Sequence, residues 1–69
     1  MSITERLAAV KFDLIKLALN KNFSIEEYKE LRKNLLLINQ MINQNKLNQS
    51  INETNIDIIE SYITSKKGR

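Results

Sequence analysis

The sequence contains no proline, and its one glycine is Gly68, next to the last residue. Proline breaks helices and glycine supplies the left-handed backbone of tight hairpin turns, so nothing in the body of the chain interrupts a helix. Asparagine would have to provide any left-handed residue. The chain also lacks cysteine and histidine, which excludes disulfides and the thiolate and imidazole ligands of metals. We therefore predict an all-α protein.

Three copies of the pattern Ser-Ile-x-Glu mark predicted helix starts, at residues 2–5, 24–27 and 50–53. In this pattern the serine and the glutamate three residues later satisfy each other's free backbone N–H groups, which forms a capping box. The residues downstream of the three copies do not match, so we interpret them as independent caps and not as a repeat. At the second start, Phe23 and Tyr28 are placed to form a hydrophobic staple.

The first segment carries apolar residues on two stripes, about 150° apart on a helical wheel. One stripe contains Ile3, Leu7, Val10, Leu14 and Leu17, and the other contains Ala8, Phe12, Ile15 and Leu19. Two stripes predict two neighbours, which favours a bundle of at least three helices.

We predict a three-helix bundle with helices at about 3–20, 25–45 and 51–65, in one domain of residues 1–65 followed by a basic tail of residues 66–69. The sequence leaves open whether the third helix packs on its own hairpin or on another chain. The predicted core consists of Leu7, Val10, Leu14, Ile15, Leu17, Leu31, Leu35, Ile38, Ile42, Ile58, Ile59 and Tyr62. A core this small is marginal, so completion by homodimerisation is expected.

Helix two has apolar residues beyond its core stripe. Leu37 and Met41 lie about 120° from that stripe, beside Glu30 and Asn34, and we predict that these four residues contact a partner. The alternative is that they are scattered exposed apolar residues, which are common on any protein surface.

The sequence offers no recognisable catalytic chemistry. The serines have no histidine to activate them, no glycine-rich loop is present to hold phosphate, and no cofactor is expected. The acidic group Glu26, Glu27 and Glu30 is explained by capping and by the helix dipole, so we predict no metal site. We predict a non-enzymatic protein-binding module, a small regulator or inhibitor, cytoplasmic and without a membrane segment. Frequent isoleucine, asparagine and lysine indicate AT-rich coding, as in a low-GC bacterium, its plasmids or its phages.

The alternative function is nucleic-acid binding. The chain has 11 basic and 8 acidic residues, a net charge of +3. Because three of the basic residues are at the C-terminus, residues 1–65 are neutral overall, which weakens an argument from pI alone. The candidate residues for this alternative are Lys11, Lys16 and Lys21 of the first segment and Lys66, Lys67 and Arg69 of the tail.

Overall fold

A computed structural model describes residues 2–20 and 22–67, and within them the chain forms three α-helices. These are α1 (Ile3–Asn20), α2 (Ile25–Lys46) and α3 (Glu53–Lys67). The helices pack together as a bundle, which confirms the predicted all-α class and places α3 on its own hairpin. None of the three is long and apolar enough to span a membrane.

Two of the three predicted capping boxes are formed. At α2, the Glu27 amide donates to Ser24 Oγ at 3.2 Å and the Ser24 amide donates to Glu27 Oε1 at 3.0 Å. These bonds to Ser24, the backbone bond first, lower the pKa of Glu27 below its ordinary value. At α1, the same pair of bonds joins Ser2 and Glu5, at 3.1 and 3.3 Å. The staple is also present, because the rings of Phe23 and Tyr28 meet edge to face, with centroids 5.4 Å apart.

The third predicted start is wrong. α3 begins at Glu53 instead of residue 51, and its first turn is capped by Asn52, whose Oδ1 accepts from the Thr54 amide at 3.1 Å. Asparagine caps a helix as well as serine does, so local chemistry allows either start. Ile51 decides between them, because it packs against the core from the extended link that precedes the helix.

The turn after α2 uses asparagine where glycine is more common. Asn48 has a φ of 57°, in the left-handed region. The Asn48 amide donates to the Asn45 carbonyl at 3.1 Å, and the Gln49 amide donates to the Gln44 carbonyl at 2.9 Å. This pair of bonds satisfies the last carbonyls of α2, as in a Schellman motif.

One buried apolar cluster joins the three helices. Its members are Leu7, Val10, Leu14, Leu17, Leu31, Ile38, Met41, Ile56, Ile59 and Ile63. Of the predicted core, Leu35, Ile42 and Tyr62 are only half-buried, and they pack against this cluster. Two predictions are wrong, because Ile15 and Ile58 are 41% and 56% exposed.

α1 is the central helix, since it contacts both of the others whereas α2 and α3 contact each other little. α2 runs antiparallel to α1, and the Asn45 amide group donates to Thr4 Oγ1 at 2.8 Å near one end. α3 runs parallel to α1, since Arg6 lies beside Asp57 and Asp13 lies beside Lys67. α1 therefore faces α3 on one side and α2 on another.

Candidate interaction surface

On the flank of α1 that faces α3, the guanidinium of Arg6 forms ion pairs with three carboxylates. The guanidinium lies 2.5 Å from Asp57, 2.6 Å from Glu60 and 3.4 Å from Glu53. The Arg6 side chain is only 25% exposed, and its hydrogen bonds, first to Glu60 and then to Asp57, raise its pKa above the ordinary value. The side chains of Glu53 and Asp57 are still 66% and 65% exposed, so these acids border both Arg6 and solvent.

The basic residues at the end of α3 also have partners on this side of the bundle. Lys66 and Lys67 lie in the last turn of α3 and not in a separate tail. Lys66 Nζ lies 3.6 Å from Glu27 and 5.7 Å from the centre of the Tyr62 ring, and Lys67 Nζ lies 4.0 Å from Asp13. These lysines therefore link α3 to the other two helices.

The second apolar stripe of α1 has no neighbour among the described residues. Phe12, Ile15 and Leu19 are 60%, 41% and 79% exposed. The first stripe alone contacts both α2 and α3, so the predicted link between two stripes and two neighbours fails. The three side chains form a ridge about 10 Å long on one side of α1.

Leu36 of α2 extends this apolar surface, and it is 60% exposed. In antiparallel helices of equal rise, the contact between Thr4 and Asn45 places residues level when their numbers sum to about 49. Ile15 is then level with residue 34 and lies close along the axis to Leu36. Lys11 and Leu36 line one shallow groove between the two helices, together with Asn39, Gln40, Ile42, Asn43 and Lys46.

Six basic side chains lie on the same two helices as these apolar residues. On α2, three of them lie within about 60° of Leu36 around the helix axis, and α2 has no carboxylate in that arc. Lys16 lies beside Phe12, with its Nζ 5.4 Å from the ring centre. The six are Lys11, Lys16, Lys29, Arg32, Lys33 and Lys46.

None of these six cations takes part in an ion pair in the part of the chain that the structure describes. Glu5 is the one carboxylate on the same side of α1, and it accepts the cap bond from Ser2. We call this surface the outer face: the four exposed apolar residues Phe12, Ile15, Leu19 and Leu36, together with the six cations.

The residues predicted to contact a partner lie elsewhere. Met41 is 2% exposed and belongs to the buried cluster, so the expectation that it lies in water is wrong. Leu37 is half-buried against the same cluster. Glu30 is exposed, and the Asn34 amide group donates to the Glu30 carbonyl at 2.9 Å. Because Met41 is buried and Leu37 packs against the cluster, the pair does not form a free apolar surface.

The basic residues predicted for nucleic-acid binding fall on two separate surfaces. Lys11 and Lys16 belong to the outer face, whereas Lys66 and Lys67 pair with Glu27 and Asp13. Lys21 and Arg69 lie outside the described residues. The structure thus does not bring the helix-one lysines together with the end of α3.

Sequence reasoning identified the spacing of Phe12, Ile15 and Leu19 but assigned these residues to packing within the bundle. The predicted site residues did not include Leu36 or the four basic residues of α2. Their signal was the arc of α2 that contains several cations and no acid, which is visible on a helical wheel.

Within residues 2–20 and 22–67, no group of three or more histidine, cysteine, aspartate or glutamate side chains is arranged to hold a metal ion. The carboxylates that do converge are held by the Arg6 guanidinium. No protein-family model, curated protein or solved structure matches this chain. Its function is therefore argued from its surface chemistry.

Proposed function

We propose that this protein is a non-enzymatic protein-binding module, a small regulator or inhibitor, and that it contacts its partner through the outer face. The observation that carries the proposal is the ridge of Phe12, Ile15 and Leu19, continued by Leu36. These four large apolar side chains are 41% to 79% exposed. Burial of each against a partner would contribute about 1.5–3 kcal/mol, whereas exposure contributes nothing to folding.

The position of the ridge also supports this function. Exposed apolar residues scattered singly need no explanation, but a contiguous group with a polar rim is typical of an interaction site. Here three members follow the spacing of one helix face, and the fourth, on the neighbouring helix, lines a groove with Lys11 of α1. A rim of long basic side chains and a centre of aliphatic and aromatic groups is the usual anatomy of a protein interface.

Comparative affinity capture tests the proposal. The tagged protein, a Phe12→Ser/Leu19→Ser variant and an Ile58→Ser control are used to capture proteins from cells of the source organism. Ile58 is a matched control because it is exposed to a similar extent but lies on α3. We expect a protein bound by the wild type and by the control to be lost from the double variant. The same proteins bound by all three would overturn the proposal, once circular dichroism has shown that all three chains are folded.

The alternative, nucleic-acid binding, is supported by the six cations of the outer face, which form no ion pair within residues 2–20 and 22–67. Its test is retention on duplex DNA as a function of salt. If each contact to a phosphate releases counterions, log affinity should fall with log salt with a slope of several units. The Phe12→Ser/Leu19→Ser variant would keep that binding, because neither side chain contacts phosphate.

A further inference from the structure

We propose that the segment bound at the outer face is an acidic amphipathic helix of the partner. This inference rests on the proposed function and adds the chemical class of the partner. Three features of the surface support it: the form of the apolar ridge, the sign of the charges around it, and the groove beside it.

The ridge has the form that packs against a helix. Phe12, Ile15 and Leu19 follow one another at intervals of three and four residues, as do the rows of side chains that interlock between packed helices. Lys11, which precedes Phe12 on α1, lines a shallow groove with Leu36 and Ile42 of α2, so a helix laid on the ridge and across this groove would contact apolar side chains of both α1 and α2. This is the helix-in-groove mode of recognition, in which the ligand presents apolar residues at a spacing of i, i+3, i+4 and i+7.

The charges of the outer face predict that the bound helix is acidic. Lys16 lies over the ring of Phe12, Lys11 precedes that residue, and four further cations lie on α2, whereas the described carboxylates are concentrated elsewhere, three of them on Arg6. A ligand with glutamate or aspartate flanking its apolar stripe would pair with cations that have no ion-pair partner among the described residues, whereas a basic ligand would face repulsion. The amides of Asn39, Gln40 and Asn43 in the groove add hydrogen-bond donors for carboxylates.

The same observations disfavour other occupants. A second copy docked through the same face would bring two sets of six cations together, and like charges across an interface cost affinity. Nucleic acid would use the cations and could stack on Phe12, but Ile15, Leu19 and Leu36 offer neither a charge nor a flat ring to it. An anionic membrane would suit the charge and the apolar side chains, yet it has no use for a groove lined by amides.

Titration of the ¹⁵N-labelled full chain with three synthetic peptides of about 20 residues tests the inference. The first peptide has leucine at i, i+3, i+4 and i+7 with glutamate on the flanks. The second has lysine in place of glutamate, and the third has the composition of the first in scrambled order. We expect the acidic amphipathic peptide to bind at least about tenfold more tightly than the others and to shift the amides of the outer face.

A charge-swap variant provides the sharpest control. In Lys11→Glu/Lys33→Glu the preference for the acidic peptide should shrink and the basic peptide should bind more tightly than it does to the wild type, and because the second effect is a gain of binding it cannot result from unfolding. A short DNA duplex and vesicles of phosphatidylglycerol are titrated in parallel. Equal binding of all three peptides, shifts centred on α3, or tighter binding of DNA or vesicles than of the acidic peptide would overturn the inference.

The two proposals fail separately. If capture succeeds and depends on Phe12 and Leu19 while the acidic peptide shows no preference, the protein-binding function stands and the acidic class of partner is wrong. If binding to the outer face is found only with DNA or vesicles, both proposals are wrong.

Discussion

The two flanks of α1 contrast in how they use charge and apolar surface. On the flank that faces α3, Arg6 is largely buried under three carboxylates, and Asp13 lies beside Lys67. On the other flank, Phe12 and Leu19 are exposed and the neighbouring cations have no ion-pair partner among the described residues. The charges of the first flank are paired within the bundle. The second holds exposed apolar groups and solvated charges that a bound partner would cover, and for this reason the proposed site is placed there.

The largest effect expected on the first flank concerns its apolar anchor. Ile59 is fully buried, whereas its neighbour in sequence, Ile58, is 56% exposed. Ile59→Ala should lower the free energy of unfolding by about 2–5 kcal/mol, because it leaves a cavity where α3 packs into the core. Ile58→Ala should change it by about 0.5 kcal/mol or less. Urea unfolding followed by circular dichroism measures both, and equal losses would contradict the orientation of α3.

The next effect sharpens the contrast in charge. Arg6→Ala should lower the melting temperature, because Glu53, Asp57 and Glu60 then repel one another without a cation between them. Arg6→Lys should recover only part of the loss, since lysine lacks the planar fork that reaches several carboxylates at once. The deficit of Arg6→Ala should depend on salt. A Lys33→Glu substitution on the outer face should leave the melting temperature nearly unchanged, and an equal loss there would remove the distinction between the flanks.

A smaller effect is expected where α3 begins. Asn52→Ala should cost about 1 kcal/mol, because it removes the acceptor of the Thr54 amide. Ser50→Ala, at the position that the sequence pattern favours, should cost little, since α3 starts three residues later. Thermal unfolding of the two variants compares them directly. A larger loss of stability in Ser50→Ala than in Asn52→Ala would indicate that α3 starts earlier and that its carboxylates are oriented differently.

The smallest effect is a pH dependence at the start of α2. Because the folded protein holds the pKa of Glu27 below its ordinary 4.5, the unfolded chain binds the proton more readily. This contribution to stability is complete above pH 4.5 and is lost as the pH falls through the lowered value in the folded state. Glu27→Gln keeps an acceptor for the Ser24 amide but cannot titrate. The stability difference between wild type and variant should be constant near neutral pH and shrink in acid; a constant difference throughout would exclude Glu27 as its source.

Helix number and the first two helix boundaries could be predicted because local chemistry determines them. Ser2 and Ser24 each cap with a glutamate three residues on, and nothing in the tertiary structure competes with those bonds. At the third start two local solutions compete, Ser50 and Asn52, with similar capping strength. Packing of Ile51 in the extended link selects Asn52, and a local pattern does not contain that information.

Tertiary contacts also determine which apolar stripe of a helix is buried in the core. α3 carries two overlapping sets, one with Ile58 and Tyr62 and one with Ile56, Ile59 and Ile63. The bonds of Arg6 to three acids turn the second set inward, and only contacts across more than 45 residues of sequence reveal it. The same packing buries Met41, which the pattern of α2 alone places outside its core stripe. The surface proposed from the structure therefore differs from the predicted one, even though its main stripe, with Phe12 and Leu19, had been identified.

The unequal contacts among the helices also determine how the bundle opens. α1 and α2 are joined by a short link and pack extensively, so they can associate early with little loss of chain entropy. α3 is attached mainly to α1, through partners such as Arg6 and Glu60 that are 54 residues apart. Its departure would leave a helical hairpin largely intact, as an opening below the level of global unfolding. We therefore expect the backbone amides of α3 to exchange with deuterium before those of α1, and the outer face, built on α1 and α2, to outlast the loss of α3.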